Sequence, residues 1–281
     1  MNTAPLPTDA LSEAPPHAHA RAPEPGPAAE LLLALASEGL PPPLGLSERL
    51  SARIAAQRAA NAPLVTLHQP LQRRSLQPWG PGVRACALHG NSWLVEAEAG
   101  SALPAPTAPL ELLVLAGSVA VAGQPLSLST AGYALLPAGQ ALTALGAVRL
   151  YWREHRAGPF SAPDQALLRT PQDWQPLRDG VSICPLHGEG AAVSLLARLQ
   201  PGARVPAHPH GIDEECLMVE GDLFLGDVLL REGEYQFAPA GSQHGDLFAD
   251  APCLLFFHGA IEAAAIDNPH RVSLGWPPLG G

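Results

Sequence analysis

The chain contains a long internal repeat. Gln77-Pro78-Trp79 returns as Gln175-Pro176-Leu177, and the run Gly82 to Gly90 returns as Gly180 to Gly188 with Gly-Val-x-x-Cys-x-Leu-His-Gly in common. Both pairs are 98 residues apart. Leu136-Pro137-Ala138-Gly139 then returns as Ala238-Pro239-Ala240-Gly241 at an offset of 102, so the copies differ by loop changes. A period near 100 residues is too long for a stacked solenoid and fits two copies of one domain. After Asn61, short apolar runs alternate with Gly and Pro, which reads as strands joined by turns. The expectation is all-β, with one copy at 62–156 and the other at 160–265.

The flanks have a different texture. Residues 1–30 carry seven prolines and almost no large apolar side chains, a composition that does not bury enough surface to offset ordering entropy. A disordered tail is expected there, with a short C-terminal tail at 266–281. Between tail and repeat, 31–61 reads as short helices. Leu31 to Ala36 forms one, stopped by Gly39 and Pro41-Pro42-Pro43. Ser47 caps a second that runs through Ala60, with Leu50 and Ile54 on one face.

Composition then removes whole classes of chemistry. All 16 basic residues are Arg. A Schiff-base lysine, a PLP enzyme and a P-loop NTPase each need the missing amine. Net charge is −10 with 26 Asp and Glu, so no nucleic-acid surface is expected. The four cysteines, at 86, 184, 216 and 253, form no CxxC, which argues against a zinc ribbon and for reduced thiols in the cytosol. No basic segment leads into an apolar run at the N-terminus. The longest apolar runs, such as Leu112 to Ala116, fall far short of the roughly 20 residues of a membrane span. A cytoplasmic protein with no membrane partner is expected.

The second copy carries the candidate chemistry. His208 and His210 are two apart and share one side of a strand. Glu214 keeps the same parity, whereas Glu215 has the opposite parity and should point away. Pro239-Ala240-Gly241 precedes His244, and a turn there would return its ring over the first strand. Three imidazoles and one carboxylate suit a borderline divalent metal. Pro106, Thr107 and Ala108 occupy the matching region of the first copy, with Leu110 and Leu142 in place of Glu214 and His244, so that copy should hold no metal.

Gly202 to Gly221 resembles the first cupin motif, G(X)5HXH(X)3–4E(X)6G, and Gly233 to His244 resembles the second, G(X)5PXG(X)2H(X)3N. Phe248 stands where that pattern has Asn, a position of packing more than ligation. The resemblance implies two tandem double-stranded β-helix (jelly roll) domains, the first degenerate. It further implies a single divalent metal held by His208, His210, Glu214 and His244, zinc first, with Fe(II), Mn or Ni as alternatives. Within the cupins, His208-Pro209-His210, the run Asp213 to Gly221 and Pro239 to Gly245 look most like the ChrR type. In that type the cupin is the zinc-binding sensor half of an anti-sigma factor. A regulatory sensor of an oxidant or small molecule is therefore expected, with an ECF-type sigma factor or another regulatory protein as partner. The zinc motif that binds sigma factor is not matched, since no cysteine precedes Cys86. The alternative is an Fe(II)-dependent cupin dioxygenase acting on a small organic substrate.

Smaller signals have weaker readings. Cys216 and Met218 should face the barrel interior, Cys216 as a buried apolar residue or as a redox thiol beside the metal. Phe224 and Phe237 join them if parity is loose. Asp246 is either an acceptor for a metal-bound histidine or a loop acid. The pairs Cys86–His89 and Cys184–His187 read as inherited structure, His258 as structural, and His17 with His19 as incidental.

Overall fold

The computed structural model describes residues 44–68, 76–124, 127–156, 163–189 and 192–261. The expected tails, the helix Leu31–Ala36, His17 and His19 lie outside them. The chain divides into two units after Ile54. A helix, Leu46–Asn61, crosses that point, with Glu48 in its first turn and Arg58 in its last, each suited to the helix dipole. It buries none of its residues, and Leu50 and Ile54 stay half exposed.

Both repeats lie in the second unit, and each builds a seven-stranded antiparallel sheet faced by smaller ones. In the first copy the order is Leu167–Arg169, Tyr133–Leu136, Leu110–Ala116, Val148–Glu154, Ser92–Ala97, Val83–Ala87, Gln77–Gly80. In the second it is Val65–Leu67, Tyr235–Ala238, Glu214–Glu220, Cys253–Gly259, Ala192–Leu199, Val181–Glu189, Gln175–Arg178. These are the two jelly rolls that the resemblance implies.

The two sheets exchange first strands. Val65–Leu67, which begins the first copy in sequence, pairs with Tyr235–Ala238 of the second. Leu167–Arg169, which begins the second, pairs with Tyr133–Leu136 of the first. The boundaries drawn at 62–156 and 160–265 keep each strand with its own copy, and the hydrogen-bonded sheets do not. Three-residue strands such as these carry no pattern that specifies which of two similar edges they join.

The apolar core has three parts. One fills each barrel, and the third lies where the backs of the two large sheets meet. Leu94, Leu113 and Leu135 of the first copy oppose Leu196, Leu217 and Phe256 of the second in that middle layer. This explains why strands Leu110–Ala116 and Glu214–Glu220 do not alternate. Both faces are covered, so five consecutive residues in each are buried.

Candidate metal centre

The HxH segment is held by a two-stranded ladder. His208–Pro209 pairs with Gln243–His244, and His208 stands directly opposite His244. The backbone N–H of His210 donates to Ser242 O at 2.9 Å, and Gly241 N–H donates back to His210 O at 2.8 Å. The turn that returns His244 runs through Pro239 to Ser242, closed by Ser242 N–H to Pro239 O at 3.0 Å. It needs Gly241, whose φ of +82° is strained for any residue with a Cβ. Two aspartates pin the surrounding loops. Asp213 Oδ1 accepts from Ala240 N–H at 2.9 Å, and Asp246 Oδ1 accepts from Ala207 N–H at 2.8 Å. Asp246 therefore braces the backbone beside His208 and accepts no metal-site histidine. Asp213 does the matching job and had no signal in the sequence beyond its place between two stronger residues.

His208, His210, Glu214 and His244 are all buried, and their candidate ligand atoms lie within 4.8 Å of one another. Ring centroids are 4.7 Å apart for His208–His244 and for His210–His244. Each ring is oriented through Nδ1. That atom bonds Pro206 O at 2.8 Å in His208, Ser242 Oγ at 2.9 Å in His210 and Gly245 O at 2.9 Å in His244. A carbonyl accepts only, so Nδ1 of His208 and His244 carries the proton and Nε2 is left with its lone pair turned to the centre. Ser242 Oγ spends its own proton on Pro239 O at 2.6 Å, so it too accepts from His210. Bonds of about 2.1 Å from a tetrahedral ion would set ligand atoms about 3.4 Å apart, a modest contraction from the 4.8 Å span present. Donor types, tautomers and spacing together fit a divalent metal.

The carboxylate is tuned for charge. Burial pushes the Glu214 carboxyl up, but the hydrogen bond with His244 and the nearby rings of His210 and His208 outweigh it and hold it below the usual range. His244 shows the reverse: burial disfavours its charge, and Glu214, 3.4 Å from Nε2, raises its pKa. A cation entering the centre would displace any proton shared by this pair.

Of the expected interior residues, Cys216 and Met218 do line the second barrel. The Cys216 thiol sits 3.6 Å from Glu214 Oε1, and burial with that carboxylate pushes it well up, so it is a thiol and not a thiolate. Phe224 and Phe237 are elsewhere. Phe224 packs on Phe248, which in turn lies under Arg204, and Phe237 sits between the copies stacked on His89 at 3.6 Å. Strict alternation from Tyr235 already turns Phe237 outward. Leu255 and Phe257 fill the interior instead.

Glu215 points away from Glu214, as parity requires, but not to solvent. Its Oε2 accepts from Tyr235 OH at 2.7 Å, Tyr151 OH at 2.8 Å and Ser92 Oγ at 2.8 Å, and Arg153 reaches Oε1 at 3.0 Å. Ser92, Tyr151 and Arg153 belong to the first copy. Its counterpart there is Glu111, which accepts from Tyr133 OH at 2.8 Å, with His155 and the second copy's His258 at 3.3 and 3.5 Å. His258 is tied in turn to Ser194 at 2.7 Å. All three tyrosines of the chain serve these two carboxylates. Burial pushes the Glu111 carboxyl up; the His258 ring, once protonated in acid, together with His155 and Arg153 outweighs it and holds it well below the usual range. Cys184 lies in this layer, and Cys86 and His89 lie against it.

Residues 164–262 match the family model of the ChrR cupin-like domain. No curated protein matches the chain. Among solved structures it is similar to a candidate dioxygenase from Nostoc punctiforme, at TM-score 0.54 and 16% identity over 66% of this chain and 74% of that one. It is also similar to AerE from Microcystis aeruginosa, at TM-score 0.54 and 12% identity over 67% and 97%. An oxalate decarboxylase aligns at TM-score 0.52 and 11% identity over 70% and 77%. Likeness at such identities is a likeness of fold.

Proposed function

We propose that this chain, a cupin-superfamily protein whose C-terminal half is a ChrR-type cupin domain, is a metal-dependent sensor that reports through the joint between its two cupins. One observation carries the reading. Glu214 and Glu215 are neighbours on one strand, one facing the histidines and the other bonded to Ser92, Tyr151 and Arg153 of the first cupin. A change that moves Glu214 therefore strains bonds that cross between domains. Zinc is the ion proposed, because four protein donors close a tetrahedral, redox-inert site. An oxidant or small molecule that displaces a ligand is the signal. An ECF-type sigma factor or another regulatory protein is the partner that the ChrR resemblance suggests. Hydrogen exchange tests the joint: removing zinc should speed exchange in Ser92–Ala97 and Val148–Glu154, which hold no ligand. Unchanged exchange there would sink the sensor reading.

A second reading, an Fe(II)-dependent dioxygenase, is favoured by the apolar cavity that runs up to His208 and Glu214, and by the fold shared with a candidate dioxygenase. Bound iron would supply a Lewis acid and a redox centre, and Glu214 is placed to accept a proton. Iron in protein purified without added metal, with O2 consumed on a small organic substrate, would decide for it.

A further inference from the structure

The cavity beside the metal centre is chemically one-sided. Its polar wall consists of His208, Glu214 and the Cys216 thiol, and everything else is aliphatic or aromatic, including Ile183, Leu255 and Phe257. Among the described residues, no arginine, hydroxyl or amide side chain lines it. It has a volume of about 70 Å³, small enough to limit a ligand to a short chain.

Such a wall selects by what it lacks. A sugar hydroxyl or a second carboxylate entering here would shed its water and find no partner, which costs several-fold to many-fold in affinity. A divalent ion held by Glu214 and three neutral imidazoles keeps one positive charge, and by expanding from four to five ligands it could accept a single anionic oxygen head. The body of the ligand then meets only hydrocarbon. Resting on the metal reading above, we infer that the second cupin takes a small molecule with one metal-seeking oxygen head and a short apolar tail, and rejects dicarboxylates. The likeness to oxalate decarboxylase is thus one of fold and does not extend to the ligand.

The test uses the full chain loaded with Co(II), followed by its d–d absorption and by calorimetry. The probes are straight-chain hydroxamates from acetohydroxamate to hexanohydroxamate, with the monohydroxamate of succinate as the charged comparison. The Kd should fall about fourfold for each of the first two or three added methylenes and then level off. The succinate derivative should bind at least about tenfold more weakly than butyrohydroxamate. Ala197→Leu, which grows into the cavity, should flatten the series while cobalt uptake persists. If that variant does not fold, the wild-type series still decides. A flat series on cobalt-loaded protein, or equal binding of the succinate derivative, overturns the ligand class and leaves the metal reading standing. Failure to take up cobalt, or uptake that survives His244→Ala, overturns both.

Discussion

Strands Leu110–Ala116 and Glu214–Glu220 occupy matching places in the two cupins and show the same burial along their length. Counted back from Gly117 and Gly221, Leu110 matches Glu214 and Glu111 matches Glu215. On the face turned to the other cupin, the copies agree: a buried glutamate, a tyrosine donor from the neighbouring strand, and a buried serine in Ser92 or Ser194. On the face turned into the barrel they differ. The first cupin replaces the ligand positions with Leu110 and Leu142 and fills its interior with Trp152, where the second has Phe257. Its mouth is stapled by Glu154, which accepts from Thr107 Oγ1 at 2.7 Å and from Arg156 at 2.9 Å. The second cupin has Gly259 at the place of Glu154, and a Cβ there would lie 3.2 Å from Glu214 Cγ and 2.9 Å from the Phe257 ring. The copies differ at the ligand positions and agree at the joint, which indicates that the two faces of one strand are under separate constraints.

The contrast can be broken most severely at the ligands. His244→Ala should cost metal affinity at least about a hundredfold, read by metal content after dialysis. Leu142→His in the first cupin should add no bound metal, because its other three positions remain without donors. Metal retained in His244→Ala would erase the difference between the copies.

The joint should respond in stability and not in metal content. Arg153→Met leaves Glu215 buried without its cation and should lower the unfolding free energy by about 3–5 kcal/mol in urea titrations, with one metal still bound. Loss of metal with unchanged stability would reverse the roles assigned to the two faces.

Acid should also act at the joint. Burial, with Arg153 nearby, pulls His258 down to about 4 even against Glu111, so the ring is neutral in the fold. The unfolded chain takes up that proton below about pH 6.5. Stability from this group is therefore complete above pH 6.5 and is lost as pH falls toward 4, by up to about 3 kcal/mol. His244, whose pKa is raised, acts in the opposite sense. The difference between wild type and His258→Asn isolates the term, and identical acid limbs would remove it.

Two smaller substitutions sharpen the comparison at the mouths. Gly259→Ala should crowd Glu214, costing about 1–3 kcal/mol by overpacking and weakening metal binding by calorimetry. Thr107→Val in the first cupin should cost only about 1 kcal/mol, the worth of one hydrogen bond, with metal binding unaltered.

Much of the site could be read along the chain because it is local. His208, His210 and Glu214 lie within seven residues, and the turn before His244 is marked by Pro239 and Gly241. Period-two alternation placed Cys216 inside and Glu215 outside. It could not say what lay outside, since Ser92, Tyr151 and Arg153 are over 60 residues away from Glu215 in sequence. Phe237 was drawn toward the barrel by its hydrophobicity alone, yet the apolar surface it meets belongs to the other copy.

By itself the sequence determined that there are two copies of an all-β domain, that one has a His and Glu constellation and that the other lacks it. Each of these follows from residue types at short, regular spacing. Only the tertiary structure decided that the copies exchange first strands, that every tyrosine converges on two buried glutamates between them, and that the His and Glu cluster opens on hydrocarbon. Those features are pairings between distant segments. Their energy comes from desolvated hydrogen bonds and charges that exist only once the two sheets are back to back.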